Sequence, residues 1–262
     1  MTAIRAITLD FGNTLVPVPE GALAAVVAET AAAIAATLGP FDPEAVRVAW
    51  SEERARQFRE EVPRFREVDL DQRLARILAR LRGMPAPAED QRWDDAAAAL
   101  LSDEHERAMA IEVYSRGFVT RLPPVPDAGA LIERLSARYD LAILSNWPLA
   151  ATIDRYVEAA GWAPHLRAVV VSQRVGTIKP HPAIFAAART ALGDPAPDRI
   201  LHVGDDWAAD VAGAKAAGWR AAFLRDRPHD SPLPRSDRDD LVTPDLELDR
   251  LGELERALDR LA

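Results

Sequence analysis

Acidic, amide, hydroxyl and lysine side chains form four short groups in this chain of 262 residues. In chain order they are Asp10-Phe11-Gly12-Asn13-Thr14-Leu15, Leu144-Ser145-Asn146, Lys179-Pro180, and Gly204-Asp205-Asp206 with Asp210. A positioned carboxylate can serve as a nucleophile, and several carboxylates together bind a hard divalent cation such as Mg²⁺. Clustered carboxylates repel one another unless a cation or the Lys179 amine compensates their charge. If the fold brings the groups together, the sequence predicts metal-assisted chemistry at Asp10.

Three of the four groups directly follow predicted strands. Short β-branched and aliphatic runs indicate buried strands, separated by helical segments. The predicted strands are Ile4–Leu9, Leu141–Leu144, Ala168–Val171, Ile200–Val203 and Ala221–Leu224, with a final short strand beginning at Leu246. Strands that alternate with helices at this spacing form right-handed βαβ units and a parallel sheet. Ligands bind outside the carboxyl ends of such strands, where Asp10, Ser145 and Asp205 are all expected to lie.

Between the first and second strands, about 100 residues carry helical signals only. Asp42-Pro43 and Asp69 are of the residue types that begin helices, and helical spacing continues to Ser115. The predicted fold class is therefore α/β: a Rossmann-like parallel sheet with helices on both faces, plus an α-helical cap inserted after the first strand. The predicted core comprises residues 1–15 and 121–262, and the predicted cap residues 16–120.

Composition excludes several classes of function. The net charge of −9 argues against nucleic acid as a partner, because phosphate backbones select basic surfaces. The chain has no cysteine, which excludes disulfides, thiolate metal sites and a cysteine nucleophile. No apolar run approaches the ~20 residues that span a bilayer, and the N-terminus lacks the apolar segment of a signal peptide. We expect a cytoplasmic protein with no membrane partner, and the sequence carries no signal for an oligomeric state.

In order, spacing and context, the four groups resemble the motifs of the haloacid dehalogenase-like hydrolase superfamily, in a member with a helical cap after the first core strand. The resemblance covers nearly the whole chain. It implies that Asp10 is a nucleophile whose covalent aspartyl intermediate is released by water. It also implies that the Ser145 hydroxyl holds a transferring phosphoryl oxygen, and that Lys179 neutralises charge on nucleophile and phosphate.

The same resemblance implies an Mg²⁺ cofactor and a small phosphorylated molecule as substrate. The implied metal ligands are Asp10, the backbone carbonyl of Gly12, Asp205, Asp206 and Asp210. The implied substrate-binding residues are Asn13, Thr14 and Asn146. Alternatives stay open for three of these residues: Asp206 and Asp210 could instead cap a helix that begins near residue 207, and Lys179 could be a solvated loop residue.

Position 12 departs from the pattern of the superfamily's phosphatases. Those enzymes carry a second Asp two residues after the nucleophile, as general acid and base, whereas this chain has Gly12. Glycine cannot transfer a proton, and general acid–base help is worth about 10²–10⁴-fold in rate. The departure therefore leaves the source of the leaving group's proton open.

Three functions are compatible with this sequence. The first is a phosphatase, either slow or directed at acyl or aryl phosphates, and the intact acidic groups favour it. The second is a 2-haloacid dehalogenase, with Asn146 and a cap arginine such as Arg47 or Arg54 around the halide. Dehalogenases of the superfamily, however, carry Tyr at position 12 and lack the acidic metal motif. The third is a non-catalytic descendant that binds a phosphorylated ligand.

Overall fold

The structure is a computed structural model that describes residues 3–67, 69–88 and 90–260. The chain divides into two compact units, one made of Met1–Glu20 with Leu122–Ala262 and the other of Gly21–Arg121. The predicted boundaries lay after residues 15 and 120. The first unit contains the sheet, and the second is built from helices.

Six parallel strands form one sheet in the order β3-β2-β1-β4-β5-β6. The strands are β1 (Ala6–Leu9), β2 (Asp140–Ser145), β3 (Ala168–Val171), β4 (Ile200–Gly204), β5 (Arg220–Leu224) and β6 (Leu246–Leu248). β1 lies inside the sheet, paired with β2 on one side and with β4 on the other. All of its residues are buried, as is usual for a central strand of a parallel sheet, and Thr8 is its one polar residue. The predicted α/β class with a Rossmann-like parallel sheet is confirmed.

Helices make up the second unit within the described residues. They are α1 (Glu20–Thr37), α2 (Pro43–Glu60), α3 (Leu70–Leu81), α4 (Asp95–Ala99) and α5 (Glu104–Arg121). The carboxylates of Asp42 and Asp69 accept backbone N–H groups in the first turns of α2 and α3, at 3.0 and 2.7 Å, as their residue types predicted. α5 continues past the predicted end at Ser115, because buried Phe118 stacks on Tyr114 one turn earlier.

α1 bears on the prediction that no segment spans a membrane. Its 18 residues are long and apolar enough to cross a bilayer by length and composition, and 22% of them are buried inside the structure. The helix is therefore an exception to the expectation that no apolar run approaches that length. One such helix is weak evidence for a span, since core helices and N-terminal signal sequences meet the same criterion.

The remaining helices connect or follow the strands. They are α6 (Ala128–Ser136), α7 (Ala150–Ala159), α8 (Ser172–Val175), α9 (Pro182–Ala191), α10 (Gly213–Ala216) and α11 (Leu254–Leu258). From β1 the chain moves through β2 to β3 in one direction along the sheet, and then through β4 and β5 in the other. Right-handed crossovers in opposite directions place the connecting helices on opposite faces. α6 and α7 therefore cover one face, while α9 and α10 cover the other.

The face covered by α9 and α10 holds a buried hydrophobic cluster. Phe185 of α9 packs there with Trp207 and Trp219, against side chains of β1, β2 and β4. The register of the sheet pairs Thr8 of β1 with His202 of β4. Two polar side chains therefore lie side by side within an otherwise apolar layer, one residue before the end of β1 and two residues before the end of β4.

Two segments differ from the expected pattern. α8 was not predicted, because its four residues are too short to show helical spacing. The helix after β4 begins with a π-helical turn, Trp207–Ala212, before α10, so it starts earlier than the predicted Asp210. Such turns are rare and occur often at functional sites.

Candidate active site

Asp10 is the first residue after β1, and its backbone N–H donates to the Val203 carbonyl of β4 at 2.9 Å. Its side chain is buried, and its Oδ1 accepts a hydrogen bond from Lys179 Nζ at 2.7 Å. Burial raises the pKa of Asp10 to about 6, although the charge of Lys179 acts in the opposite direction. The sheet thus presents a buried carboxylate whose ionisation depends on nearby cations.

The Lys179 ammonium lies between two of the predicted acidic groups. It donates to Asp10 Oδ1, to Asp210 Oδ1 at 2.6 Å and to the Leu144 carbonyl at 2.9 Å. Burial lowers the pKa of Lys179, but the two carboxylates outweigh it and hold the pKa above its usual value. The side chain is 2% exposed, so the alternative of a solvated loop lysine is wrong.

Asn146 fixes the backbone of Lys179. Its Oδ1 accepts the Lys179 backbone N–H at 2.7 Å, and its Nδ2 donates to the Lys179 carbonyl at 3.1 Å. Both polar atoms of the amide are therefore engaged in positioning the lysine. This differs from the expected role of Asn146 in binding substrate.

Asp210 is held by three donors and does not face open space. Lys179 and His202 Nε2 contact its Oδ1, the latter at 3.0 Å, and the Asp206 backbone N–H donates to its Oδ2 at 2.9 Å. Burial lowers the pKa of His202, so its neutral ring donates from Nε2 and accepts from the Thr8 hydroxyl, 2.8 Å away, at Nδ1. Lys179 and His202 hold the pKa of Asp210 below its usual value despite its burial. Asp210 therefore positions Lys179, and this contact explains why a carboxylate stands there.

Gly204 leaves the space that Asp210 needs. A Cβ on Gly204 would lie 2.2 Å from Asp210 Cγ and 2.6 Å from its Cβ. We expect Gly204→Ala to displace Asp210 and to lower the free energy of unfolding by about 1–3 kcal/mol, the usual cost of overpacking. Urea unfolding measures the change. Gly252→Ala is the matched control, since a Cβ there meets nothing within 4 Å; equal stability of the two variants would contradict the expectation.

Asp205, the first residue after β4, forms an ion pair with a residue far along the chain. Its Oδ2 lies 2.9 Å from an NH1 nitrogen of Arg227, and both side chains are almost completely buried. Within the described residues, Oδ1 of Asp205 has no hydrogen-bond partner. Burial, together with the charges of Asp10 and Asp210, raises the pKa of Asp205 well above its usual value, although Arg227 opposes this.

Asp10, Asp205 and Asp210 each place one carboxylate oxygen within 4.8 Å of the others. Their hard oxygen donors are of the kind that Mg²⁺ prefers. Asp10 and Asp205 fit such an ion best, because burial raises the pKa of both carboxyl groups and a bound cation would stabilise their ionised forms. Asp210 fits less well, since its two oxygens already accept hydrogen bonds.

Asp206 faces away from this cluster, in agreement with the alternative of a helix cap. Its Oδ1 accepts the Ala209 backbone N–H at 2.8 Å and the Ser236 hydroxyl at 2.8 Å, and its Oδ2 accepts the Ser236 backbone N–H at 2.8 Å. The expected role of Asp206 as a metal ligand therefore has no support in the geometry. Both oxygens of the carboxylate accept hydrogen bonds, from the π-helical turn at Ala209 and from Ser236.

Ser145 is the last residue of β2. The register pairs Leu9 with Ile143, which places Ser145 at the level of the residues that follow Asp10. The side chain is buried, and within the described part of the chain no hydrogen bond of its hydroxyl is found. A hydroxyl with unused hydrogen-bonding capacity beside Asp10 suits the predicted contact to a phosphoryl oxygen.

Asn13 and Thr14 form the turn after Asp10, and the buried Thr14 hydroxyl has no hydrogen-bond partner within the described residues. Asn13 adopts a positive φ of 59°, and its Oδ1 accepts the Val18 backbone N–H at 3.1 Å. Its side chain also contacts the Ser231 hydroxyl, at 3.0 Å from Nδ2. Thr14 is fully buried. Asn13 therefore holds the turn after Asp10, and the expected role of both residues in substrate binding stays a prediction.

A leucine fills the space beside Gly12. A Cβ on Gly12 would lie 2.7 Å from Cδ1 of Leu233, 3.6 Å from Cζ3 of Trp147 and 4.0 Å from Cγ2 of Val18. A carboxylate at position 12 would therefore have to displace the leucine. The space that a side chain at position 12 would need is thus taken by Leu233, from a distant part of the chain.

Arg227, Ser231, Leu233 and Ser236 all belong to residues 226–240, which we call the 226–240 loop. None of these residues was predicted to belong to the site, because an irregular segment rich in Pro, Arg and Asp usually indicates an exposed loop. Arg227 donates to the carbonyls of Leu233 and Pro234 at 3.0 and 3.1 Å, so the loop closes on itself around the guanidinium. The run Ser231-Pro232-Leu233-Pro234 carries no periodic signal that would indicate contact with the motif residues.

The sequence matches a family model described as haloacid dehalogenase-like hydrolase over residues 4–218. Among curated relatives, glyceraldehyde 3-phosphate phosphatase of Methanopyrus kandleri is 37% identical over 148 residues, which are 56% of this chain and 61% of that protein. Phosphoserine phosphatase of Thermus thermophilus is 37% identical over 105 residues, 40% of this chain and 41% of that protein. The chain thus spans less than two thirds of the length of either relative.

Solved structures share the fold across the whole chain. The 2-haloacid dehalogenase of Pseudomonas syringae pv. Tomato has a TM-score of 0.69 and 24% sequence identity, with 99% of this chain and 100% of that chain covered. At this identity the likeness concerns the fold alone.

Proposed function

The chain belongs to the haloacid dehalogenase-like hydrolase family, and from that premise we propose that it is a metal-dependent phosphatase of small phosphorylated metabolites. The observation that carries the proposal is the contact between Asp10 and Lys179, with Asp205 beside them. A dehalogenase would have no use for the second carboxylate. The two relatives named as phosphatases, for glyceraldehyde 3-phosphate and phosphoserine, point to the same reaction and to small substrates.

The proposed reaction has two displacements at phosphorus. A carboxylate oxygen of Asp10 attacks, the bond from phosphorus to the leaving oxygen breaks, and an aspartyl phosphate forms. Water then attacks the phosphorus, and the bond to Asp10 breaks to release inorganic phosphate and restore the carboxylate. Lys179 holds Asp10 in place and offsets negative charge as it develops. Ser145 donates its hydroxyl to a non-bridging phosphoryl oxygen.

Mg²⁺ is the proposed cofactor, and Asp10 and Asp205 would hold it. When bound, the ion offsets the charge of the carboxylates and of the phosphoryl group. The Gly12 carbonyl, predicted as a further ligand, stays a prediction. A cytoplasmic location also stays a prediction, made from the sequence alone.

One set of assays tests the function. The purified chain is incubated with phosphoserine, glyceraldehyde 3-phosphate, acetyl phosphate, p-nitrophenyl phosphate and 2-chloropropionate, each with Mg²⁺ and with EDTA. We expect phosphate release from at least one phosphorylated compound, reduced at least tenfold by EDTA and restored by excess Mg²⁺. Chloride release that is insensitive to EDTA would overturn the proposal in favour of a dehalogenase. Tight binding of phosphate without any turnover would favour the non-catalytic alternative.

A further inference from the structure

We propose that Leu233 restricts this site to phosphates whose leaving group departs without a proton, chiefly acyl phosphates and phosphates of acidic hydroxyls. The inference rests on the proposed phosphatase function and adds a substrate class to it. It assigns the restriction to a residue of the 226–240 loop, far along the chain from Asp10.

The wall of the site beside Gly12 consists of carbon atoms. The nearest atoms to a Cβ built on Gly12 belong to the side chains of Leu233, Trp147 and Val18. None of these groups can donate a proton to a departing oxygen. The absence of a side chain at position 12 therefore does not open a water-filled space there, because Leu233 occupies it.

Leu233 is held in this position from several sides. Its carbonyl accepts the Arg227 guanidinium at 3.0 Å, and its N–H lies 3.4 Å from the Ser231 hydroxyl. That hydroxyl contacts the Asn13 side chain at 3.0 and 3.1 Å, and Arg227 is itself paired with Asp205. The loop is thus bonded to the turn after β1 and to the residue after β4. The leucine is part of the built site rather than a side chain of a loose loop.

The ionisable groups around Asp10, among the described residues, are already engaged. Lys179 donates to three acceptors, and Asp210 accepts from three donors. The neutral ring of His202 bridges Thr8 and Asp210, and Asp205 is paired with Arg227. The pair with Arg227 uses Oδ2 of Asp205, and its carboxylate would be taken up by the proposed Mg²⁺. With the ion bound, none of these groups is placed to protonate the leaving oxygen. Bond breaking at phosphorus then depends on how well the leaving group carries negative charge.

The test is a leaving-group series. Values of kcat/KM are measured for substituted phenyl phosphates, acetyl phosphate and an alkyl phosphate such as phosphoserine, all at saturating Mg²⁺. We expect log kcat/KM to fall steeply as the pKa of the leaving group rises. In the double variant Gly12→Asp, Leu233→Ala, a carboxyl group takes the place of the leucine, and turnover of the alkyl phosphate should rise by about 10²–10⁴-fold while the dependence flattens.

Controls separate the role of Leu233 from folding and from the function itself. Leu233→Met keeps the wall apolar and should keep the steep dependence, whereas Leu241→Ala, at an exposed position after the loop, should change nothing. Equal kcat/KM for aryl and alkyl phosphates in the unmodified chain would overturn the inference and leave the phosphatase function intact. A folded double variant with an unchanged slope would also overturn it. No turnover of any phosphate by the unmodified chain would instead contradict the proposed function.

Discussion

Asp10→Asn should abolish phosphate release, with kcat lowered by at least about 10⁴-fold, because the amide cannot form the aspartyl phosphate. Lys179, Asp205 and Asp210 keep their places in this variant, so the fold should persist. Single-turnover assays with a ³²P-labelled substrate measure the effect and should show no phosphorylated protein. Asp198→Asn, at an exposed turn, is the matched control and should keep full activity.

The same variant should change how stability depends on pH in the metal-free protein. The pKa of Asp10 is raised to about 6 in the folded state from an ordinary value of 3.8. Between these values the unfolded chain loses a proton that the folded chain keeps, so stability falls as pH rises through this window. Asp10→Asn removes this loss of stability. The free energy of unfolding of the variant should therefore exceed that of the unmodified chain by about 3 kcal/mol above pH 6, and by almost nothing below pH 4.

Urea unfolding in EDTA at pH 4, 5, 6 and 7 measures this difference. Added Mg²⁺ should reduce it at pH 7, because the ion stabilises the ionised carboxylate of the unmodified chain. A difference in stability that is equal at pH 4 and pH 7 would contradict the assignment of the raised pKa to Asp10. The kinetic and thermodynamic results are independent, since inactivity alone does not require a shifted pKa.

Lys179→Met should be strongly destabilising as well as inactivating. The substitution leaves Asp10 and Asp210 buried side by side without their shared cation, and breaking a buried pair in this way costs about 3–5 kcal/mol. Activity should fall even under conditions where the variant is fully folded. Circular dichroism and urea unfolding measure the stability, and kcat at low temperature measures the activity of the folded fraction.

The chain offers one matched control for this substitution, its second lysine. Lys215 pairs with Asp245 at 2.9 Å, and its side chain is about one third exposed. Lys215→Met should cost no more than about 1 kcal/mol, as is usual for pairs near the surface, and should leave kcat unchanged. Similar losses of stability and of kcat in the two variants would mean that the position of Lys179 between the two carboxylates contributes nothing beyond an ordinary surface ion pair.

The strand pattern was sufficient to predict the sheet and the placement of Asp10, Ser145 and Asp205 at the carboxyl ends of its strands, whereas Lys179 follows no strand and was included only through the resemblance to the superfamily's motifs. Parallel strands end at a common edge, so residues after β1, β2 and β4 must meet there whatever the details of packing. The roles of Asp206 and Asp210 could not be separated in this way. Which of the two faces Lys179 depends on the π-helical turn after β4, and single-turn geometry has no periodic signal in a sequence.

The 226–240 loop was unpredictable for a different reason. Its path depends on the ion pair between Arg227 and Asp205 and on the Ser236 bonds to Asp206, which join residues distant in sequence. No local propensity encodes such contacts. The helical unit was predictable only in part. The caps Asp42 and Asp69 could be predicted from residue type, but the end of α5 depends on the burial of Phe118.

The burial of Lys179 has a practical consequence for handling this protein. Amine-reactive reagents need an amine that is both exposed and deprotonated. Lys179 meets neither condition, because its side chain is buried and its two carboxylate partners keep the amine protonated. Of the two lysines in the chain, only Lys215 is open to acylation. Fluorophores or resin linkers attached through lysine should therefore enter at one defined position on the sheet unit. Mass spectrometry of a labelled sample would map the modification to Lys215 and leave the peptide containing Lys179 unmodified.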